Sequence, residues 1–190
     1  MIKTIVMGAG GRMGGRIITM IAQTEGVELS VAVEKQGHLA VGKDSGELAG
    51  LGKNGIIIED DFENALDRGD VVIDFTHHVA SVEHIKLVVQ KRKAIVIGTT
   101  GFSGQELMTI KELATKCKCV LAPNMSVGVN VMLKVLHEVA GILGDDYDVE
   151  IVESHHNLKK DAPSGTAMKM AQVIADSLHR DLDEVGVYER

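Results

Sequence analysis

Residues 2–15 read Ile2-Lys3-Thr4-Ile5-Val6-Met7-Gly8-Ala9-Gly10-Gly11-Arg12-Met13-Gly14-Gly15. Ile2 to Met7 is a short apolar run that stops at Gly8, the mark of a buried parallel strand. Beyond the glycines, Ile17, Ile18, Met20 and Ile21 recur at helical spacing to about Thr24. Val27 to Val33 then reads as a second strand, closed by Glu34. Strand, glycine turn, helix and strand together predict a βαβ unit that binds a dinucleotide.

The strict G-x-G-x-x-G pattern fails, because its sixth position is Met13. Gly8, Gly11 and Gly14 instead satisfy G-x-x-G-x-x-G. The physical demands are the same in both patterns. A tight turn leaves the strand, the backbone approaches a pyrophosphate, and the helix N-terminus offers N–H donors and the positive end of its dipole. Arg12 stands within reach of a phosphate. Glu34 lies 20 residues beyond Gly14, where a ribose-binding acid belongs. Its carboxylate suits the 2′-hydroxyl of NAD, and the ammonium of Lys35 suits the 2′-phosphate of NADP. The pair predicts use of NADH or NADPH, with an ordinary solvated lysine as the alternative at position 35.

Outward from this unit, residues 35–55 are rich in glycine and polar groups and predict a long loop. Ile56 to Ile58 reads as a third strand, Phe62 to Leu66 as a short helix, and Val71 to Phe75 as a fourth strand. A helix over Val79 to Val89, a strand over Ala94 to Ile97, a helix over Gly104 to Thr115 and a strand over Cys119 to Ala122 follow. Strands alternating with helices predict an α/β, Rossmann-type doubly wound parallel sheet with right-handed crossovers. The loop Gly98-Thr99-Thr100-Gly101 then faces the nicotinamide end, where its threonines are free to hydrogen-bond an amide or ribose; a plain turn is the other reading. His77-His78 reads as a surface pair covering a helix start. After Pro123 the texture changes. Val127 to Leu143 predicts one long helix, Val149 to Glu153 a strand, and Ser164 to Leu178 another helix. The boundary predicted is residues 1–125 for a dinucleotide-binding domain and 126–190 for a substrate-binding domain.

Composition narrows the partners. The chain has 190 residues, 45% hydrophobic and 25% charged, as a globular protein does. A formal net charge of -7 disfavours nucleic acid and anionic membrane surfaces as partners. Aromatics at 3%, with no Trp, make base-stacking platforms improbable. Cys117 and Cys119 have no second pair for a zinc site and are too close for an unstrained disulfide, so reduced thiols are predicted. Met1 leads directly into a strand without a leader-like segment, and no apolar run approaches the roughly 20 residues of a membrane span. Both features predict a cytoplasmic protein.

Residues 153–166 read Glu-Ser-His-His-Asn-Leu-Lys-Lys-Asp-Ala-Pro-Ser-Gly-Thr. Two histidines and two lysines lie within six residues of an otherwise acidic chain. Such groups neutralise carboxylates and move protons near pH 7. Ser164 caps the helix that follows, and the N–H groups of Gly165 and Thr166 make a natural carboxylate site. A metal site reads poorly, since adjacent histidines rarely share one ion and no further ligand stands at the right spacing. A solvated charged loop is the plain alternative.

In order along the chain, the loop Gly8 to Gly14, Asp74-Phe75-Thr76, Gly98 to Phe102, Asn124-Met125-Ser126-Val127-Gly128-Val129-Asn130 and the segment Glu153 to Ala167 resemble the 4-hydroxy-tetrahydrodipicolinate reductase family. This family, long called dihydrodipicolinate reductase, serves diaminopimelate and lysine biosynthesis. The resemblance implies reduction of a cyclic dicarboxylate with NADH or NADPH and release of water. It implies a pyrophosphate held by Gly8, Ala9, Gly10, Gly11, Arg12 and Met13, and an adenosine ribose at Glu34 and Lys35. Gly98, Thr99 and Thr100, with Ala122, Pro123, Asn124 and Met125, would line the nicotinamide side. His155 would be proton donor or acceptor, Lys159 proton donor, and His156, Gly165 and Thr166 substrate ligands. A cytoplasmic homotetramer is implied for the full-length family.

The sequence departs from the family pattern in three places. Lys35 stands where many members carry Arg, and Pro123 and Met125 where some carry Ala and Phe. The chain also ends at Arg190, where members of the family continue. A truncated α+β substrate and oligomerisation domain is the corresponding expectation. The alternative function is a truncated, non-catalytic dinucleotide-binding fragment. A dehydrogenase of another substrate, such as an amino acid, leaves the coincidence of His155, His156, Lys159 and Ser164-Gly165-Thr166 unexplained.

Overall fold

The computed structural model describes residues 1–155, 157 and 162–188. It comprises two compact units, Met1–Pro123 and Asn124–Arg190.

In the first unit, six strands form one parallel sheet: β1 (Ile2–Met7), β2 (Val27–Val33), β3 (Ile58–Glu59), β4 (Val71–Asp74), β5 (Ala94–Ile97) and β6 (Lys118–Leu121). Their order is β3-β2-β1-β4-β5-β6. This is the α/β Rossmann-like arrangement that the alternating pattern predicts. The chain leaves β1 first toward β2 and later toward β4, so the crevice at the carboxyl end of β1 is the switch point where such sheets bind ligands.

The interleaved helices are α1 (Arg12–Ala22), α2 (Ser45–Leu48), α3 (Phe62–Ala65), α4 (His78–Gln90) and α5 (Gly104–Ala114). Both sheet faces are covered, which explains why the strands read as continuous apolar runs. Ile5, Val72, Ile95 and Ile97 pack with Val82, Ile85 and Val88 of α4 and Ile110 of α5 on one face. Val6, Ala32 and Ile58 pack with Ile18 and Ile21 of α1 on the other.

Three local expectations change. The Ile56–Ile58 run yields only the two-residue β3, because Ile57 forms an isolated antiparallel bridge with Asp44. The 35–55 segment is not featureless. It carries α2, and the buried carboxylate of Asp44 accepts from the N–H groups of Gly46, Glu47, Asn54 and Gly55 at 2.8–3.2 Å. Burial pushes the Asp44 carboxyl up, but these four donors outweigh it and hold it below its ordinary value. Cys117 and Cys119 are half-buried free thiols, and burial raises both, Cys119 to about 11 with help from its neighbour's charge.

The second unit has α6 (Val127–Leu143), α7 (Gly165–Ser177) and α8 (Leu182–Val185). The predicted strand over Val149 to Glu153 is not formed; these residues are irregular, and no strand occurs among the described residues of this unit. The alternating apolar side chains are there, but a strand exists only when a neighbour completes its hydrogen-bond ladder. The correction is to that strand: among the described residues the second unit is helical, with irregular connections. Val127–Asp146 is also, by length and composition alone, apolar enough to cross a membrane, with a mean hydropathy of 1.4. Asn130, Lys134, His137 and Glu138 interrupt the run in sequence, which hides its average from a reading of consecutive residues.

Candidate functional site

The glycine loop is built at the carboxyl end of β1. Gly8 takes a positive φ of 66°, and the N–H of Gly11 closes the turn on its carbonyl at 2.9 Å. A Cβ on Gly14 would lie 2.1 Å from the Gly8 carbonyl oxygen, so α1 could not pack against the loop with any larger residue there. Ala9 is buried and donates to the Val33 carbonyl at 3.0 Å, which ties the loop to β2. The helix begins at Arg12 with no side-chain cap, and Arg12 and Met13 are exposed at its mouth.

Glu34 and Lys35 follow β2. One Glu34 oxygen accepts from the Gly10 N–H at 3.1 Å and the other from the Lys35 N–H at 2.9 Å. The acid and the glycine loop, 24 residues apart, therefore share one place. The Lys35 side chain is exposed. These residues fit a dinucleotide: the open backbone of the loop, a helix start and a ribose-type carboxylate converge.

The loop after β5 differs in detail from its sequence reading. A Cβ on Gly98 would stand 2.0 Å from the Phe75 ring, so this glycine makes room for an aromatic side chain. The Thr99 hydroxyl is buried and pairs with Ser81 at 2.8 Å. That corrects the reading in which both threonines are free for ligand; Thr100 alone is exposed.

Beneath these loops lies a buried polar chain around Asp74 and Thr76, residues that the family resemblance includes without giving them a role. Asp74, fully buried at the end of β4, accepts from the N–H and hydroxyl of Thr76 at 2.9 and 2.6 Å. Its second oxygen meets Nδ1 of His84 at 2.7 Å. The Thr76 hydroxyl continues to Ser81 at 3.4 Å, and Ser81 to Thr99. The Thr76 methyl also lies 3.0 Å from where a Gly8 Cβ would be. Burial pushes the Asp74 carboxyl up, yet His84 and Thr76 together hold it below the usual range. An acid ending an otherwise apolar strand, Val71-Val72-Ile73-Asp74, was the available signal.

His77 stands at the N-cap position of α4 without a side-chain capping bond, and its ring centroid lies 4.1 Å from that of His78. His78 is more than a surface cover: its Nδ1 meets Glu106 at 2.8 Å, and Glu106 completes the capping box of α5. The hydrogen bond from the Ser103 backbone, then that from His78, lowers the Glu106 carboxyl to about 2.

Ala122 donates to the Ile97 carbonyl at 3.1 Å, and Pro123 is exposed at the end of the first unit. Asn124 and Met125 fall in the second unit. Asn124 accepts the Ser126 N–H at 2.8 Å, and Met125 is exposed.

In the second unit, Glu153 joins two predicted site elements. One oxygen meets Nε2 of His155 at 2.7 Å; the other accepts the Ser164 N–H at 2.8 Å. Ser164 in turn caps α7 by accepting from Ala167 at 3.1 Å. No described residue accepts from the N–H groups of Gly165 and Thr166. Bonding to Ser164 first, and to His155 next, holds the Glu153 carboxyl down to about 2. A carboxylate held well below its usual range thus orients an imidazole beside a helix start. His156 and Lys159 lie outside the described residues.

Residues 2–125 match a family model described as dihydrodipicolinate reductase, N-terminus, and residues 128–189 match its C-terminus counterpart. The chain is 57% identical over 190 residues to the 4-hydroxy-tetrahydrodipicolinate reductase of Syntrophus aciditrophicus, and 53% identical to that of Geotalea daltonii. Each alignment covers 100% of this chain and 71% of the relative. Among solved structures, a dipicolinate-bound dihydrodipicolinate reductase from Paenisporosarcina sp. TG-14 superposes with a TM-score of 0.74 at 31% identity. It covers 93% of this chain and 66% of its own.

Proposed function

Because the chain belongs to the dihydrodipicolinate reductase family, we propose that it serves the NAD(P)H-dependent reduction of 4-hydroxy-tetrahydrodipicolinate to tetrahydrodipicolinate, with release of water. That step belongs to diaminopimelate and lysine biosynthesis. The observation that carries the reading is the Glu153 carboxylate, which holds His155 and the capped start of α7 together. A dicarboxylate needs a fixed N–H site and a nearby proton-handling group, and this arrangement supplies both. The solved relative's bound dipicolinate is a compact aromatic dicarboxylate of the kind such a site suits.

Residues 1–125 serve as the dinucleotide-binding domain and 126–190 as part of the substrate-binding domain. Gly8 to Met13 hold the pyrophosphate, Glu34 and Lys35 the adenosine ribose, and Gly98, Thr100 and Ala122 to Met125 the nicotinamide side, with Thr99 acting from below. The nicotinamide cofactor, when bound, supplies the hydride. His156, Gly165 and Thr166 bind substrate carboxylates. His155 holds or relays a proton at Nε2 or Nδ1, and Lys159 delivers one to the reduced ring. Both NADH and NADPH are used, the carboxylate of Glu34 favouring the first and Lys35 the second. A cytoplasmic location and homotetrameric assembly belong to the same proposal.

The test is turnover of NADPH with the substrate. Lys159→Ala should lower kcat about 10²- to 10⁴-fold, the range for a positioned acid, with dinucleotide binding intact. A near-normal kcat removes Lys159 from the chemistry.

A second reading, a dinucleotide-binding chain without turnover, is favoured by one observation: α6 of the second unit has no buried residue. Dinucleotide affinity in calorimetry combined with no turnover would select it.

A further inference from the structure

The Glu34–Gly10 contact has a third participant. Gly37 takes a positive φ of 77°, and the His38 N–H closes the resulting turn on the Lys35 carbonyl at 3.1 Å. This fold-back brings the His38 imidazole onto the glycine loop. A Cβ on Gly10 would stand 2.8 Å from Cε1 of His38, 3.0 Å from its Nδ1 and 2.6 Å from the Ala40 Cβ. Gly10 is therefore in touch with both the Glu34 carboxylate and the His38 ring.

The ring's protonation pattern is set locally. The backbone N–H of Ala40, itself buried, donates to Nδ1 of His38 at 3.2 Å. An accepting Nδ1 carries no proton, so the neutral ring bears its hydrogen on Nε2. Nε2 adjoins Cε1, the ring atom that would stand closest to a Cβ on Gly10. The ring is half-buried, and no described residue pairs with Nε2.

The chemistry at this place is one-sided without it. Glu34, as a carboxylate, only accepts hydrogen bonds. A ribose diol bound to it gives up its hydrogens and still has oxygen lone pairs to satisfy. We propose that His38 is an adenosine-binding residue of this chain, donating from Nε2 to a ribose oxygen, or to a 2′-phosphate oxygen where one is present, while Glu34 accepts. The proposal rests on the reading of this loop as the dinucleotide site. Lys35 adds charge for a phosphate; His38 adds a directed donor that serves both forms of the cofactor.

The test is titration calorimetry of the 190-residue chain with NADH and with ADP-ribose, which retains the adenosine and pyrophosphate but lacks the nicotinamide. His38→Leu keeps bulk over Gly10 and removes the donor; His38→Gln keeps an N–H donor near the Nε2 position. Loss of one neutral hydrogen bond should weaken both ligands about 3- to 10-fold in His38→Leu. His38→Gln should recover most of that loss, with unchanged thermal midpoints in both variants. Wild-type affinity in His38→Leu, or equal weakening in both variants, would overturn the donor role and leave the ring as packing alone. Failure of the unsubstituted chain to bind either ligand would overturn the dinucleotide reading itself, and this inference with it.

Discussion

In Met1–Pro123 the sheet hides Ile5, Val6, Val72, Ile95 and Ile97 between helices on both faces; in Asn124–Arg190 the 17 residues of α6 leave no side chain buried. The contrast is not one of composition. Val127, Val131, Val135, Val139 and Ile142 run along α6 at spacings of four and three, and all are at least 45% exposed. On the other side of the helix Val129, Leu133, Leu136 and Ala140 are half-buried, and Leu133 lines an open groove with Lys134, His137 and, from α7, Lys169 and Val173. The helix thus turns one apolar side toward α7 and leaves a second one open. Apolar residues make a core only when a second layer lies against them, and β1 has one on each face. An apolar stripe of this kind is what interaction surfaces present.

Hydrogen exchange offers the largest test of that contrast. Amides of β1, β4 and β5 should outlast those of α6 by orders of magnitude, since protection follows the burial around each element. Equal protection would break the comparison. Truncations come next. Ile85→Ala, at a site with no exposure, should cost about 2–5 kcal/mol in chemical denaturation of the first unit. Val135→Ala, on the open stripe, should stay within about 0.5 kcal/mol.

Acid sharpens the comparison further, because both units carry a depressed carboxylate. Glu106 and Glu153 both sit at about 2 in the folded chain. A carboxyl lowered by folding stabilises above its ordinary value and loses that contribution as pH falls toward its folded one. Stability of each unit should therefore decline between about pH 4.5 and 2. Glu106→Gln should flatten the decline in the first unit, and Glu153→Gln in the second, read by circular dichroism over an acid titration. The smallest effect concerns cofactor choice. Lys35→Ala should weaken NADPH more than NADH in calorimetry, by the modest amount an exposed charge contributes.

What the sequence disclosed follows the same division. The β1–α1–β2 unit and the bounds of α6 were legible because each is fixed by a local period. The place of Glu34 at the end of β2 was legible too, though its bond to Gly10 was not named by any spacing. Three features were not legible. The Val149 to Glu153 run has strand chemistry, yet no strand forms there among the described residues. Thr99 looks like a ligand group, yet Ser81, 18 residues away, draws its hydroxyl inward. His38 reaches the loop only through the turn at Gly37, so no spacing rule names it. Partners brought by tertiary structure decided each case.

The Asp44 clamp carries a consequence for how a ligand would be received. A glycine-rich segment left free would forfeit its conformational entropy at the moment of binding. Here four amide hydrogens converge on one carboxylate, and that forfeit is made during folding instead. The segment that the clamp closes therefore enters any encounter with its backbone already ordered.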